Sequence, residues 1–309
     1  MKKFSRSILI ITLILVLFVP TLLLLAGCPA VYEFDGIYFT IYDDHAAVNY
    51  FICKEGDTMV CEVPSEVEYE GNIYPVTVVE PRGYSSYGRF VEGGYASEII
   101  LPATITDFKV YEYDDYYAYS NYEFAYLEKI TVHPDNEVYS DIDGVLFDAD
   151  GEELLYYPLG RQDETYTIPQ SMQTLNPYAR LWRNKALKNI EVDADNPYFT
   201  SVDNVLYSKN GSELIFRPAN DDVAYFAIPD TVSVVSYNSL PGVEYLYVPK
   251  SVTLFLESFV DAELSIKKID YICFEGDELP NYLSQEGFRG QLYFGKTLEE
   301  FEAAVQAQQ

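Results

Sequence analysis

The chain has 309 residues, with 20 Lys plus Arg against 49 Asp plus Glu, a formal net charge of −29. Apolar residues make up 49% and charged residues 22%, which is globular composition and excludes wholesale disorder. The acidity excludes nucleic acid as the main partner, because phosphate recognition needs a basic patch and none is visible.

Residues 1–27 read as an export signal. Lys2, Lys3 and Arg6 precede an apolar run from Ile8 to Ala26, broken by Pro20 and closed by Leu25-Ala26-Gly27-Cys28. A charged start, an apolar centre and small residues before a cut describe a secretion signal. The last four residues resemble the lipobox of bacterial lipoproteins. That resemblance implies that Cys28 becomes the acylated N-terminus of the mature chain, a stable anchor when two or more acyl chains are attached. The competing reading is an uncleaved span, since the run is long enough to cross a bilayer. The exported body would be repelled by anionic headgroups, so the anchor would be its only membrane contact.

Residues 28–95 are expected to hold the anchor cysteine, a small β cap and an entry coil. Runs such as Val48-Asn49-Tyr50-Phe51-Ile52 alternate with turns at Lys54-Glu55-Gly56-Asp57 and Glu70-Gly71-Asn72. Outside the cytoplasm disulfides persist. Cys53 and Cys61 each lie four residues from Asp57, so a hairpin centred on Gly56-Asp57 would set them opposite each other as a disulfide; two free thiols are the alternative. Cys273 is then the odd thiol, either buried or reactive.

Residues 96–295 carry a duplication. Shifting the chain by 60 lays Leu127–Pro169 on Leu187–Pro229 without a gap, with 14 identities in 43 positions. Short triplets recur through and around it, each reading apolar, variable, apolar. They are Ile99–Leu101, Ile130–Val132, Tyr166–Ile168, Ile190–Val192, Phe226–Ile228, Leu246–Val248, Ile272–Phe274 and Leu292–Phe294. Each predicts a three-residue strand with one buried face. Their last members are 31, 36, 24, 36, 20, 26 and 20 residues apart, so the 60-residue unit is a coil of 36 followed by one of 24. The extra length in the longer coil predicts an inserted hairpin, turning at Asp150-Gly151 in one copy and Asn210-Gly211 in the other. Coils of 20 to 24 residues have the leucine-rich-repeat period, and no such coil buries its apolar face alone. The expected fold is therefore a leucine-rich-repeat solenoid, mostly β, with one short parallel strand per coil and the triplets stacked as a single ribbon.

Four strands are followed by a proline and an apolar residue at fixed spacing: Pro102-x-x-Ile105, Pro169-x-x-Met172, Pro229-x-x-Val232 and Pro249-x-x-Val252. These corners, with Asp143-Gly144-Val145-Leu146-Phe147 and Asp203-Asn204-Val205-Leu206-Tyr207 leading into the hairpins, resemble the BspA-type leucine-rich repeats of bacterial surface proteins. Val63-Pro64-Ser65-Glu66-Val67 and Phe274-Glu275-Gly276 resemble that family's entry and closing segments. The resemblance covers about 60 to 295 and implies adhesion to host or neighbouring-cell proteins. Residues 296–309 predict a capping helix over the last coil, through a capping box at Thr297–Glu300 and a face of Leu298, Phe301 and Val305.

The duplication serves as a control on chemistry. His133 aligns with Asp193, which marks a variable corner, and His45 sits in a turn before a strand. Asp148-Ala149-Asp150-Gly151-Glu152 suggests calcium, but its copy Ser208-Lys209-Asn210-Gly211-Ser212 keeps the turn without the charge. No nucleophile, base and orienter suggest themselves, so the reading is no enzyme, no metal and no cofactor. Two contact surfaces are expected instead. One is Tyr111–Tyr126, with Tyr113, Tyr116, Tyr117 and Tyr119 as a platform for protein or glycan if the stretch is exposed; the alternative is an insertion packed on its own coil. The other is the outward stripe of middle residues: Ile100, Thr131, Thr167, Glu191, Ala227, Tyr247, Cys273 and Tyr293. Replacing Tyr247 and Tyr293 by Ala is expected to weaken binding with little change in thermal midpoint. The competing functional readings are an envelope structural or assembly lipoprotein without external ligand, and a polysaccharide-binding module.

Overall fold

A computed structural model describes residues 30–51, 60–80, 96–109, 126–177, 179–219, 225–236, 239–256, 269–280 and 290–307. The chain opens with the strands β1 (Ala30–Phe34), β2 (Ile37–Ile41) and β3 (Ala46–Phe51), followed by β4 (Val60–Glu62) and the hairpin β5 (Glu66–Tyr69) and β6 (Asn72–Val79). Then come β7 (Glu98–Leu101), the two-residue β8 (Asp107–Phe108) and β9 (Lys129–Val132). An insertion follows, β10 (Tyr139–Ile142), β11 (Val145–Asp148) and β12 (Glu153–Tyr156), and then β13 (Thr165–Ile168), β14 (Thr174–Leu175) and β15 (Asn189–Val192). The second insertion is β16 (Phe199–Val202), β17 (Val205–Ser208) and β18 (Glu213–Phe216). The last coils hold β19 (Tyr225–Ala227), β20 (Val234–Val235), β21 (Tyr245–Val248), β22 (Leu254–Phe255), β23 (Tyr271–Phe274) and β24 (Gln291–Phe294). The helix α1 (Leu298–Gln306) ends the described chain.

All eight predicted triplets fall on strands, Ile228 alone lying just past the end of β19, and within each ladder they pair in parallel with the expected members opposite one another. Ile99 faces Ile130, Tyr166 faces Ile190, and Leu246 faces Ile272, which faces Leu292. The third members bury as a layer: Leu101, Val132, Ile168, Ile228, Val248 and Phe274 are all under 9% exposed, while Val192 is half-buried. The expectation of a single ribbon is corrected. The rungs form three ladders, β4-β7-β9, β13-β15 and β19-β21-β23-β24, because each inserted hairpin lies against the edge where the next rung would bond. At its start, Gly160 N–H still donates to the Leu127 carbonyl across the first break, an approach so close that a Cβ on Gly160 would stand 2.4 Å from the Tyr126 carbonyl carbon.

β4, inside the 28–95 stretch, pairs with β7 as a rung, Cys61 opposite Ile99, so the ladder begins near residue 60. β3 and β4 belong to different sheets and do not face each other as a hairpin about Gly56-Asp57 would require. Cys61 points into the core at 7% exposure, and Cys53 lies outside the described residues. The cap sheet runs β1-β2-β3-β6-β5, and β6 passes it on to β8, joining it to the second side of the coils. Glu80, 1% exposed, fastens that junction by accepting from Lys109 Nζ at 2.8 Å and from the Tyr42 hydroxyl at 3.1 Å. That bond holds the Lys109 ammonium above its ordinary pKa.

The corners follow from backbone bookkeeping. After Pro102, Pro169, Pro229 and Pro249, the proline carbonyl accepts from the amide three residues on, at Ile105, Met172, Val232 and Val252. Those four side chains are 5% exposed or less. Across the corners at Pro102 and Pro169 an asparagine side chain ties one coil to the next. Asn196 Nδ2 donates to the carbonyls of Pro169 and Met172 at 2.7 and 2.9 Å, while its Oδ1 accepts from the amides of Tyr198 and Phe199. Asn136 repeats this on Pro102 and Ile105. Asn184 does the same on Leu159 and Arg161, a role the sequence reading missed.

The insertions are three-stranded rather than two-stranded. β10 pairs antiparallel with β11 through a tight turn at Asp143-Gly144, φ 53° and 78°, and β16 pairs with β17 through Asp203-Asn204, φ 50° and 65°. Two positive φ values define the hairpin turn matched to strand twist. The far strands, β12 and β18, join the second side of the solenoid by pairing with β14 and β20.

Replacing Asn196 by Ala strands several buried amides and carbonyls at once and is expected to lower unfolding free energy by about 3 kcal/mol. Asn196→Asp, which keeps the acceptor and loses both donors, should fall between the two in urea melts. A neutral Asn196→Ala would refute the tie.

Candidate recognition surface

The middle residues of the rungs do project away from the coil interior, but the chain covers half of them itself. Thr297 caps α1 with a full capping box, its hydroxyl accepting from Glu300 N–H while the Glu300 carboxylate accepts from Thr297 N–H. Glu299 and Glu300 in the first turn suit the positive end of the helix dipole. The helix, expected over the last coil, lies across the rung face of the last coils, with Phe301 and Val305 packed on Tyr247 and Cys273. The Phe301 ring centroid is 6.0 Å from Tyr225, 6.2 Å from Tyr247 and 6.3 Å from Tyr293. Leu298, expected on the buried face, is 38% exposed.

This corrects the contact role assigned to Tyr247. It is 5% exposed, its hydroxyl donates to the Lys296 carbonyl, and burial pushes its phenol up to about 12. Removing that ring would empty the helix seat, so little change in thermal midpoint is no longer expected. Tyr293 is half-buried at the helix margin, and its hydroxyl donates to Gln291 at 2.8 Å. Cys273 is fully buried, which decides between the two roles left open for it. One row further out, Tyr245 and Tyr271 stack at 4.9 Å with 1° between their planes, a consequence of their facing each other in parallel register. Rings stacked along a ladder show edges and hydroxyls outward, not the open faces on which a sugar would lie.

Over the other half of the stripe no described element lies. Thr167 and Glu191 are exposed and neighbours across the ladder, 3.5 Å apart at their oxygens. Thr131 is half-buried and donates to Glu98 at 2.7 Å, while Lys129 donates to the same carboxylate at 2.8 Å. These bonds hold the Glu98 carboxyl below its ordinary pKa, the Lys129 contact contributing most. Lys188 pairs with Glu164 two coils further along. This half is thus polar, charged and ordered by cross-rung pairs, whereas the covered half is aromatic.

The remaining expectations divide between turn chemistry and stretches outside the described residues. His133 Nδ1 accepts from Asp135 N–H, the place where Asp193 Oδ1 accepts from Asp195 N–H in the second copy, so the pair shares a corner bond. His45 stacks on Tyr42 and bonds Asp44 in the turn before β3. Asp148 Oδ1 accepts from the amides of Glu152 and Glu153, as Ser208 Oγ accepts from Glu213. Both residues close a hairpin turn. Among the described residues no group of three or more His, Cys, Asp or Glu is placed to hold a metal ion. Cys28, Tyr113, Tyr116, Tyr117 and Tyr119 lie outside the described residues. No described helix is long and apolar enough to cross a membrane.

The helix seat predicts chemistry that can be measured. Burial lifts the Cys273 thiol to about 11, against an opposing pull from Lys296. At pH 8 about one molecule in a thousand would carry the thiolate, so iodoacetamide should leave the peptide containing Cys273 unmodified in the native protein. Phe301→Ala, which also forfeits about 3 kcal/mol of packing, should speed alkylation at least about tenfold. Mass spectrometry of the digested protein reads both. An equal rate in the two proteins would mean that α1 does not shield this face.

No family model matches the chain, and no curated protein matches it. Solved structures similar to it include the pneumococcal vaccine antigen PcpA, with 15% identity over 89% of this chain and 90% of that one at a TM-score of 0.41. A leucine-rich repeat protein from Eubacterium ventriosum gives 15% identity, 86% and 78% coverage and a TM-score of 0.43. A leucine rich cell surface protein from Faecalibacterium prausnitzii gives 15% identity, 90% and 98% coverage and a TM-score of 0.32. The ladders, corners and coil lengths above give the chain a β-rich leucine-rich-repeat fold.

Proposed function

We propose that the protein is a non-catalytic recognition protein of the bacterial cell exterior, held by lipid at Cys28 and binding proteins of a host or neighbouring cell. The observation that carries this reading is the division of the rung face. On β19 to β24 the face already holds a polypeptide, its own helix α1, while on β7 to β15 no described element covers the same row and Thr167 and Glu191 are exposed. That half presents Thr131, Thr167 and Glu191 with flanking charge pairs, a mixed surface suited to transient protein contacts. Extended strand faces are where solenoids engage partners.

The test is capture of matrix and cell-surface proteins by the exported chain. Thr167→Arg combined with Glu191→Arg should reduce capture of any partner by about tenfold while the melting curve stays within experimental error, since both side chains are exposed. Undiminished capture would remove this face. Anchoring is tested separately: cells fed an alkyne-tagged palmitate should label the native chain and not Cys28→Ser. Equal labelling of both would refute acylation at Cys28.

A further inference from the structure

The duplicated coils close the edge beside their hairpins in two different ways. On β9 both free edge amides are taken: Ile130 N–H donates to the Gly144 carbonyl at 2.9 Å and Val132 N–H to Asp141 Oδ1 at 2.7 Å. Arg161 then seals the outside of the turn. Its guanidinium donates to the Asp143 carbonyl and to Asp143 Oδ2, and pairs with Asp163 at 2.6 Å. The first copy thus fills its own edge with a carboxylate, a carbonyl and a guanidinium.

Shifting by 60 residues replaces two of these parts. Asp203 keeps the turn of Asp143, but Asp141 becomes Ser201, and in sequence Arg161 becomes Asp221, which lies outside the described residues. The serine hydroxyl donates to the Ile190 carbonyl instead of accepting from an amide. In β15, Asn189 and Asp193 direct their amides at the neighbouring rung, so those of Ile190 and Val192 point the other way, and among the described residues neither has an acceptor. A cleft of about 660 Å³ opens at this edge, lined among others by Glu191, Asp193, Thr200, Ser201 and Asp203. That volume lies within the range of ligand sites, about 300–1,000 Å³.

We propose that this cleft docks an extended segment of a partner protein that carries an arginine or lysine. The segment lies extended in the cleft beside the hairpin, its carbonyls accepting from Ile190 and Val192 N–H, which the hairpin leaves unbonded. Its cation takes the place at Asp203 that Arg161 takes at Asp143, with Glu191 and Asp193 adding negative charge. A polypeptide fits better than a small anion, because every ionisable group of the cleft except Lys209 is acidic and Lys209 Nζ is engaged by the Asn196 carbonyl at 2.7 Å. The inference rests on the chain being a recognition protein and names the partner's chemistry at one place.

The experiment is fluorescence anisotropy of the full chain with a labelled, end-capped pentapeptide, Thr-Val-Arg-Val-Thr. The native chain should bind it, and the same peptide with norleucine for arginine should bind about tenfold more weakly. Ser201→Asp restores the first copy's carboxylate beside Val192 and should cut affinity by at least about tenfold with an unchanged melting curve. Asp203→Asn keeps a residue type that tolerates the turn and should remove the preference for arginine over norleucine. No binding by the native chain, equal affinity for both peptides, or undiminished affinity in Ser201→Asp would each overturn the proposal. So would arginine amide alone competing as well as the peptide, because the strand contacts would then be idle. Capture that is lost with Thr167→Arg and Glu191→Arg but kept with Ser201→Asp would sink the cleft and leave the recognition reading standing.

Discussion

Parallel pairing of very short strands is the constraint on which this molecule depends. A rung has only three or four residues, so it cannot slip by one without turning its two buried side chains outward. Register is therefore fixed by Ile99 on Ile130, Tyr166 on Ile190 and Leu246 on Ile272. Everything at a given position then stacks on its like. The same rule that layers Leu101, Val132 and Ile168 in the core stacks Tyr245 on Tyr271 outside it. Short rungs leave much backbone in the corners, and buried backbone must be bonded. Asn136, Asn184 and Asn196 meet that need, each serving carbonyls on one coil and amides on the next. The asparagines hold the corners where the ladder cannot.

The inserted hairpins turn this regular stack into something with sites. By occupying the edge after β9 and β15, they end one ladder before the next begins. An ended ladder presents amides, and presented amides are either satisfied or available to a partner. In the first copy Asp141 and Arg161 satisfy the edge and its turn. In the second, serine and aspartate replace them, although hairpin, turn and register are the same. A difference between two copies of one fold cannot be needed for the fold. This makes the second edge informative in a way that no single coil would be.

Much of this was legible beforehand, and the reasons are local. The triplets, the Pro-x-x-apolar corners and the 60-residue shift report short-range rules: which face is buried, where a donor is missing, where φ must be positive. Their positions in the sequence are their positions in the fold. The strands β10 and β16 were missed although Asp143-Gly144 is itself a turn signal, because Tyr139-Ser140-Asp141-Ile142 and Phe199-Thr200-Ser201-Val202 lack strong alternation. Asn184 was missed because its corner lacks the Pro-x-x-apolar pattern and shows no second copy at position 244, which is Glu. Long-range placement was harder. The capping box and the Phe301–Val305 spacing announce a helix but not which surface receives it. That choice depends on aromatic rungs assembled from four coils, and no window of sequence contains them.

The placement of α1 also explains a division of composition along the stripe. Outward positions read Ile100, Thr131, Thr167 and Glu191 on the earlier rungs, then Ala227, Tyr247, Cys273 and Tyr293 on the later ones. A helix of nine residues is about 13 Å long, and four rungs spaced at about 4.8 Å span nearly the same distance. Tyrosine, cysteine and alanine give the apolar seat that Phe301 and Val305 require, and the small Ala227 and Cys273 leave room for the helix to approach. Where no helix arrives, threonine and glutamate are compatible with water. The change from aromatic to polar therefore follows from which rungs the chain covers itself.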